Sequence, residues 1–266
     1  MLRNADGRTY SAATAGGGRG NSSSAMKILI LGGTEEARLL AGRLVAMGHE
    51  VTTSLAGRTA APAQLPGNVR TGGFGGGEAL AKYLRDEGFH RIVDATHPYA
   101  TGIKHTAVRG AEMAELRLVR LMRPGWQEPQ YAFWKHVATA EEAAQSLPRG
   151  ARALLTVGHT RLEAYLARTD CSFVVRSIEA PERPLPVNAT SLIARPPFYP
   201  QGELALLQEQ GITHLVSKNS GGVQTEAKLQ AALQLRLPVL MIARPQLPPA
   251  HEVPTVGQAI AALRLG

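Results

Sequence analysis

The hydrophobic and polar positions of the chain alternate between strand-like and helix-like blocks. The stretch from Met26 to Gly57, MKILILGGTEEARLLAGRLVAMGHEVTTSLAG, begins with an apolar run and a glycine turn, continues with apolar residues at helical spacing and ends in a second apolar run. This order predicts a β-α-β unit. Strand patterns follow at 68–71, 91–94 and 116–121, and helical patterns lie between them at 78–86 and 99–115. Such alternation predicts a parallel sheet covered by helices on both faces.

A proline-rich break divides this pattern in two. The segment RPGWQEPQ at 123–130 contains two prolines and a glycine, which predicts a linker. A second alternating set follows, with strand patterns at 151–157, 173–177, 191–194, 214–217 and 238–242 and helices between most of them. We therefore predict two α/β domains with parallel sheets and a cleft between them, one over residues 26–124 and the other over residues 125–266.

The first 25 residues differ in composition from the rest. They contain the Gly/Ser-rich stretch GGGRGNSSSA and no aliphatic block, so we expect residues 1–25 to be a disordered extension or a tag rather than a secretion signal. No apolar run in the chain reaches the roughly 18–20 residues that a membrane span needs, which predicts a soluble protein without a membrane partner. The single cysteine, Cys171, excludes an internal disulfide and fits a reducing compartment, so we expect a cytoplasmic location.

The chain is basic, with 29 Lys and Arg residues against 21 Asp and Glu residues and a net charge of +8. Most of this excess lies outside the extension, and it favours an anionic partner. Nucleic acid is disfavoured, because the sequence has no block of five or more basic residues and only 5% aromatic residues for stacking on bases. The histidines show no H-E-x-x-H or Cys/His spacing, so no metal site is predicted. The remaining candidates for the anionic partner are an anionic surface and a polyanionic small molecule.

The unusual residue clusters follow the predicted strands, at their carboxyl ends. Ligands of open parallel sheets bind at that edge, above the point where the strand order reverses. In the first half the clusters are GGT at 32–34, SLAGR at 54–58, GGFGGG at 72–77 and DATHPYA at 94–100, and in the second half they are VGHT at 157–160, RPPF at 195–198, SKNSGG at 217–222 and ARP at 243–245. We therefore expect two ligand-binding edges that face each other across the cleft.

The first-half edge has features of a dinucleotide site. The Gly32-Gly33 pair falls short of the full G-x-G-x-x-G pattern, yet it allows the backbone to approach a phosphate at the following helix, which Thr34 can cap. The second strand does not end in the carboxylate that would hold a ribose 2′-hydroxyl, and Ser54 and Arg58 instead suit the 2′-phosphate of NADPH. The alternatives are an ordinary tight turn, a solvated surface arginine and, for GGFGGG, a flexible loop.

The second-half edge contains SKNSGGVQTEAKL, which begins at Ser217 and is similar to another anion-binding turn. A strand end is followed by a lysine, an asparagine and a glycine pair that opens a helix. The segment is not a P-loop, because the G-x-x-x-x-G-K order is absent. Lys218 can hold a carboxylate or a phosphate, whereas Glu226 and Lys228 are predicted to lie on the helix surface.

Several motifs together carry a family resemblance. ILGGTEEARLLA, SLAGRT, GGFGG, DATHPYA, SKNSGG with TEAKL, and LPVLMIARP resemble the precorrin-6A reductases of cobalamin biosynthesis, in family order from Met26 onward. The resemblance implies an NADPH-dependent reductase with two Rossmann-like domains, which reduces one carbon–carbon double bond of the precorrin-6A macrocycle to give precorrin-6B. It also implies a tetrapyrrole-derived substrate with many carboxylates, in agreement with the basic fold, and neighbouring enzymes of the pathway as protein partners.

The resemblance assigns the nucleotide site to the first domain, with the cofactor residues Gly32, Gly33, Thr34, Ser54, Gly57, Arg58, Gly72, Gly73 and Phe74. The substrate-binding candidates are chosen because they lie on the expected cleft edge, and they are Arg195, Lys218, Asn219 and Ser220. His159 is a weaker candidate. Because a reduction needs a proton as well as a hydride, His97 and Tyr99 are the candidate catalytic proton donors. Asp94 is expected to cap the helix that Pro98 opens, and the alternative for the whole motif is a capped helix start whose aromatic residue packs.

Two other functions stay open on the sequence alone. One is the cobalt-precorrin-6A reductase activity of the anaerobic route. The other, of a different class, is a non-catalytic NADP-binding sensor whose second half binds a partner protein. A short-chain dehydrogenase is excluded, because Tyr99 and Lys104 do not have the Tyr-x-x-x-Lys spacing that its acid chemistry needs.

Overall fold

The computed structural model describes residues 25–57, 65–159 and 161–264. The predicted extension, apart from its last residue, and the candidate cofactor residue Arg58 lie outside the described residues. Among the helices of the described part, none is both long enough and apolar enough to cross a membrane.

Strands and helices alternate in the first part of the described chain. The strands are β1 (Lys27–Leu31), β2 (Glu50–Leu55), β3 (Asn68–Thr71), β4 (Arg91–Asp94) and β5 (Leu118–Leu121), and the helices are α1 (Glu35–Ala46), α2 (Gly77–Asp86) and α3 (Thr101–Met113).

The second part continues the alternation. Its strands are β6 (Trp134–Val137), β7 (Arg152–Thr156), β8 (Ser172–Ser177), β9 (Ala189–Ile193), β10 (His214–Lys218), β11 (Val239–Ile242) and β12 (His251–Val253). Its helices are α4 (Ala140–Ser146), α5 (Glu163–Leu166), α6 (Pro200–Glu209), α7 (Ala227–Gln234) and α8 (Val256–Arg264), with a 3-10 turn at Val223–Thr225.

Two six-stranded sheets hold these strands, and their strand pairs are parallel. The first sheet has the order β3-β2-β1-β4-β5-β12 and the second has the order β9-β8-β7-β10-β11-β6. The strand order reverses between β1 and β4 in the first sheet and between β7 and β10 in the second, which makes these the switch points where doubly wound sheets bind ligands. The predicted fold class, α/β with two Rossmann-like parallel sheets, is confirmed.

The chain exchanges its outermost strands between the two sheets. β6 follows β5 in sequence, yet it pairs with β11 at the edge of the second sheet, and β12 pairs with β5 in the first sheet. α8 then packs against α1 and β5. The predicted domain of residues 125–266 therefore differs from the structure at its end, because β12 joins the first sheet and α8 packs against it. The division of the rest of the chain into domains stays a prediction.

The exchanged strands are the two that the sequence does not predict. β6 reads WKHV and has only its last residue buried, and β12 reads HEV with the same feature. Both lie at sheet edges, so they lack the continuous apolar run by which the buried parallel strands were predicted. Their place is set by the neighbouring strand rather than by their own composition.

Helices cover both faces of the first sheet, and the side chains of β1 pack against them on each face. Ile28 and Ile30 point into the core beneath α1 and α8, whereas Leu29 and Leu31 point into the core beneath α2 and α3. All four side chains are at most 1% exposed, and burial of each contributes about 1.5–3 kcal/mol. Because successive side chains of a strand point to opposite faces, the apolar run KILIL fills both cores. The glycine turn that follows β1 is thereby held in place.

Candidate active site between the two switch points

A cavity of about 620 Å³ is lined by residues of both sheets, at the carboxyl ends of their strands. The first half contributes the turn after β1 and His97 in the loop after β4, and the second half contributes the ends of β7 and β10. The two switch points therefore face each other across one cavity, whose volume is in the range of small-molecule sites. Within the described residues, no group of three or more His, Cys, Asp or Glu side chains is arranged to hold a metal ion.

The turn after β1 combines an open glycine with a capped helix. Gly33 has a φ of +109°, and a Cβ built there would meet no other atom within 4 Å, so a ligand can approach the backbone. The Oγ1 atom of Thr34 accepts a hydrogen bond from the Ala37 amide (3.1 Å) and donates one to the Ala95 carbonyl (2.7 Å). Because the Thr34 hydroxyl already donates its proton to Ala95, it cannot also donate to an anion. The backbone amides at the N-terminus of α1 can bind an anion here instead.

Two glutamates occupy the first turn of α1, where a phosphate would bind. Arg38 donates to the Glu35 carboxylate (2.9 Å) and lowers the pKa of that group, and Arg123 pairs with Glu36 (2.6 Å). Both negative charges are thus compensated by guanidinium groups, which reduces their repulsion of an anion. Arg123, which the sequence analysis placed only in the linker, lines the cavity.

Arg70, at the end of β3, brings other predicted cofactor residues together. Its Nη1 atom donates to Ser54 Oγ (3.2 Å) and to the Gly72 carbonyl (2.6 Å), and its Nη2 atom donates to the Gly73 carbonyl (2.9 Å). Its guanidinium carbon lies 3.8 Å from the centroid of the Phe74 ring. These residues form one cluster at the edge of the first sheet, and they are not part of the cavity wall.

Sequence reasoning missed Arg70, because its position opposite Ser54 results from the register between β2 and β3. The available signal was a basic residue one position before the end of a predicted strand that leads into a glycine-rich loop. Gly57, another predicted cofactor residue, has a φ of +78° at the end of the described segment after β2.

Asp94, the last residue of β4, is completely buried and forms an ion cluster at the root of the loop that carries His97. Its carboxylate accepts hydrogen bonds from Lys104 Nζ (3.2 Å to each oxygen), from Arg120 Nε (3.1 Å) and from the amide and hydroxyl of Thr96 (3.1 and 2.6 Å). The prediction that Asp94 caps a helix is wrong, because α3 begins only at Thr101 and no side chain caps it. The cluster instead fixes the course of the loop.

His97 lines the cavity as a neutral imidazole. Its Nδ1 atom accepts a hydrogen bond from the Tyr99 amide (3.3 Å), so the neutral ring carries its proton on Nε2. Burial, with a further contribution from the cations Arg123 and Lys218, lowers the pKa of His97 to about 3. At neutral pH His97 can therefore donate a hydrogen bond to an anion, but it does not hold the second proton that an imidazolium acid would give.

Tyr99 connects the two halves and is not part of the cavity wall. Its hydroxyl donates to the carbonyl of Ile242 at the end of β11 (2.5 Å) and accepts from the amide of Asn219 after β10 (2.8 Å). Burial raises the pKa of Tyr99 to about 12. Because its proton is committed to the second sheet, the geometry favours a positioning role over the predicted role as proton donor.

Asn219 and Ser220 continue this connection. The side chain of Asn219 accepts from the Trp126 amide (2.7 Å) and donates to the Trp126 carbonyl (3.2 Å), so it holds the linker and is not part of the cavity wall. The carbonyl of Ser220 accepts from Arg123 Nε (2.8 Å) and from Arg244 Nη2 (3.1 Å), and Ser220 lines the cavity. These hydrogen bonds join the linker to the segment that follows β10, at the ligand-facing edge of the second sheet.

Lys218 is another predicted substrate residue that lines the cavity. Its Nζ atom donates to the Val157 carbonyl (2.7 Å), and burial lowers the pKa of its ammonium group. Arg195 is exposed and pairs with Glu179 (2.5 Å), and the weaker candidate His159 is also exposed. Neither Arg195 nor His159 is part of the cavity wall, although their chain neighbours Ala194, Pro196 and Gly158 line it.

Arg176 of β8 and Lys228 of α7 are cations of the cavity wall that sequence reasoning missed. The prediction that Lys228 lies on the helix surface is wrong, because it is only 4% exposed. Its Nζ atom donates to the Thr225 carbonyl (2.6 Å) and lies 4.6 Å from the centroid of the Trp126 ring. Arg176 is paired with the buried carboxylate of Glu203 (2.6 Å).

The helical spacing of Lys228 was the signal that could have identified it. Ala231 and Ala232, three and four residues further on, are buried on the same face of α7. A lysine at that spacing among apolar residues therefore indicates a charge that points inward. Burial, and to a smaller extent Arg176, lowers the pKa of Lys228 to about 7 against the opposing effect of Glu203.

The sequence and the fold are similar to those of one family. Residues 27–264 match the family model described as precorrin-6x reductase CbiJ/CobK. The precorrin-6A reductase of Rhodococcus erythropolis is 46% identical over 238 residues, which cover 88% of this chain and 96% of the relative. A solved structure described as CobK precorrin-6A reductase is 39% identical, with a TM-score of 0.86 over 90% of this chain and 96% of the other. The cobalt-precorrin-6A reductase of Priestia megaterium is 29% identical over 233 residues, 83% of this chain and 91% of the relative.

Proposed function

The chain belongs to the precorrin-6x reductase family, and on that premise we propose that it reduces one carbon–carbon double bond of precorrin-6A, giving precorrin-6B, with NADPH as the hydride donor. It is an oxidoreductase of cobalamin biosynthesis that acts on a CH-CH group. The observation that carries the finer assignment is the cavity in which the switch points of two doubly wound sheets face each other. NADPH supplies a hydride when it is bound, and the residues of the chain hold both reactants around that cavity.

The first-half edge suits the phosphates of NADPH. The N-terminus of α1, beside the open Gly33, presents backbone amides for the pyrophosphate. Ser54 and Arg70 meet at the end of β2 and β3, where a hydroxyl and a guanidinium group can hold the ribose 2′-phosphate. A carboxylate at the end of β2 would favour NADH, because it would hold the free ribose 2′-hydroxyl, but β2 does not end in one. The role proposed for Arg58 is the same, since it follows the same strand in sequence.

The second-half edge suits a macrocycle that bears carboxylates. Arg176, Lys218 and Lys228 line that side of the cavity, and Arg123 reaches it from the linker. Cations in a partly buried site bind carboxylates through charge-assisted hydrogen bonds, which are stronger than neutral ones. The Nε2 proton of the neutral His97 adds a donor from the first half. The polycarboxylate substrate proposed from the sequence therefore meets complementary charge.

Metal-free precorrin-6A is the form of the substrate that we favour over the cobalt complex. The chain is 46% identical to a relative named precorrin-6A reductase and 29% identical to one named cobalt-precorrin-6A reductase. Both relatives align over most of their length, so the two identities refer to comparable regions of the chain.

The proposal is tested by following NADPH oxidation at the nicotinamide absorbance, with metal-free precorrin-6A, with its cobalt complex and with NADH in place of NADPH. We expect faster turnover with the metal-free ring and with NADPH, and a product that carries two more hydrogen atoms than the substrate. A protein that binds NADPH and oxidises it with neither ring would contradict the proposal and support the sensor alternative.

We also propose a cytoplasmic location. Its support is Cys171, the free cysteine, which is buried as a thiol in the second half, as in proteins of reducing compartments. Cell fractionation with an antibody to the chain tests this, and a membrane or extracellular fraction would contradict it. Association with neighbouring enzymes of the pathway also remains a proposal, which co-purification from the producing cell can test.

A further inference from the structure

The reduction proposed above requires a proton donor, and the predicted donors do not fit that role. His97 is neutral at physiological pH, because burial lowers its pKa to about 3. The Tyr99 hydroxyl is committed to Ile242 and does not line the cavity. Glu35 and Glu36, also on the cavity wall, are paired with arginines and lie on the nucleotide side. Guanidinium groups do not release protons at physiological pH.

Two ammonium groups on the described part of the cavity wall remain, those of Lys218 and Lys228. Lys228 is more deeply buried, and its ammonium group contacts the Thr225 carbonyl and the face of the Trp126 ring. The neighbouring Glu203 carboxylate pairs with Arg176. Lys228 is therefore a buried cation in the wall of an open cavity, and none of the described carboxylates contacts its ammonium group directly. Burial of such an unpaired charge lowers stability, so stability alone does not explain why a lysine occupies this position.

We propose that Lys228 is the proton donor of the reduction. Hydride adds to one carbon of the double bond, and the electron pair of the π bond moves to the other carbon. That carbon forms its new C–H bond with a proton from Lys228 Nζ as the N–H bond breaks. Lys228 is left as a neutral amine, and water at the cavity mouth protonates it again before the next turnover.

The surroundings of Lys228 set the pH range of this step. Burial lowers its pKa to about 7, Arg176 of β8 and Arg123 of the linker lower it, and Glu203 of α6 and Glu226 before α7 oppose them. A donor whose pKa is close to the working pH is both protonated for part of the time and able to release the proton. Since the protonated form is the active one, the rate should fall as the pH rises above about 7.

The inference rests on the proposed function, and its test uses Lys228→Arg and Lys228→Gln in the full chain. Arginine keeps the positive charge but does not give up its proton, so we expect kcat to fall about 100-fold or more in both variants. The fall of kcat above pH 7 should also disappear in Lys228→Arg. The dissociation constant of the metal-free substrate, measured by absorbance titration with NADP⁺ present, should change by less than about threefold for Lys228→Arg. Lys82→Arg, at an exposed lysine of α2, is the matched control and should leave every parameter unchanged.

A second measurement needs no turnover and therefore separates this inference from the proposed function. In the unmutated protein with ¹³C-labelled lysine, one ε-carbon resonance should titrate near pH 7, and it should be missing from Lys228→Arg. A titration of that resonance above pH 9 would overturn the inference even if NADPH is oxidised. So would a Lys228→Arg variant that keeps kcat within about threefold, because Lys228 would then only bind a carboxylate. If the unmutated protein oxidises no NADPH, the proposed function fails and the inference fails with it.

Discussion

The ligand-facing edges of the two sheets share one strand order but differ in how they present positive charge. At the first edge the charge comes from the N-terminus of α1 and from guanidinium groups that already bind backbone or hydroxyl groups, as Arg70 does. At the second edge it comes from Arg176, which is paired with Glu203, and from two ammonium groups in the wall, Lys218 and Lys228, which donate to backbone carbonyls. The first edge suits a phosphate of fixed geometry, and the second suits carboxylates or a proton transfer.

The ends of the equivalent strands β4 and β10 show the same contrast. β4 ends in Asp94, which is fully buried and compensated by two cations, and β10 ends in Lys218, which faces the cavity. A shared fold therefore fixes where a site lies, whereas the residues at the strand ends decide what it does. The predictions below test this contrast, beginning with the substitutions that have the largest expected effects.

The largest effect is expected for Asp94→Ala. Removal of this carboxylate leaves Lys104 and Arg120 as buried cations, which should cost about 3–5 kcal/mol of the free energy of unfolding. Urea unfolding followed by circular dichroism measures the loss. Ser217→Ala, at a buried position near the end of β10, is the control and should cost much less. A loss below about 1 kcal/mol for Asp94→Ala would show that the ion cluster does not stabilise the first edge.

Cofactor preference should change next, in Arg70→Ala. Loss of a charge-assisted contact with the 2′-phosphate costs about 1.5–3 kcal/mol, so the preference for NADPH over NADH should fall roughly 10- to 100-fold. The ratio of kcat/KM for the two cofactors is the readout. Arg58→Ala is expected to act in the same direction.

Lys218→Ala provides the matched comparison at the opposite edge. It should raise the KM for the substrate and leave the cofactor preference unchanged, because Lys218 lies on the second-half wall. A selective loss of NADPH affinity in this variant would assign that strand end to the cofactor instead.

A smaller effect is expected for Tyr99→Phe, which removes the hydroxyl that joins the two edges. Ile242 loses a donor and Asn219 loses an acceptor, so the free energy of unfolding should fall by about 1–2 kcal/mol. Because the hydroxyl is not assigned as the proton donor, kcat should stay within about threefold of the unmutated value. A 100-fold fall in kcat with unchanged stability would restore Tyr99 as the acid.

The last prediction concerns the pH dependence of stability through His97. Its folded-state pKa is about 3, below the unfolded value near 6.5, so between these values the unfolded chain binds a proton that the folded chain does not. Stability should therefore fall as the pH drops from 6.5 towards 3, and His97→Gln should make this fall shallower. Melting temperatures between pH 7.5 and 5 test it, and an unchanged slope in the variant would contradict the low pKa.

The sequence predicts what depends on local pattern and misses what depends on tertiary contact. The run KILIL, the glycine turn and the β-α alternation are local, and they lead to the fold class and to the turn at Gly33. β6 and β12 are short edge strands without apolar runs, so their exchange between sheets is not visible in the sequence.

The residues of the candidate site also differ in whether local pattern or tertiary contact determines their positions. The position of Arg70 depends on strand register, and the partners of Asp94 come from α3 and β5. Lys228 is the exception. Its spacing from Ala231 and Ala232 already indicates a buried position, although a surface position was predicted for it. Motifs therefore located the two edges, whereas the contacts of the individual side chains required the folded chain.

The most direct test of a joint site is to follow the transferred hydrogen. NADPH that carries deuterium at both positions of nicotinamide C4 is incubated with metal-free precorrin-6A and the unmutated protein, and the product is weighed by mass spectrometry. If the two edges hold the nicotinamide and the ring in one cavity, each product molecule should gain a single deuterium directly from the cofactor. A reduced product without deuterium would contradict the account, because the hydrogen would then not pass from one edge to the other.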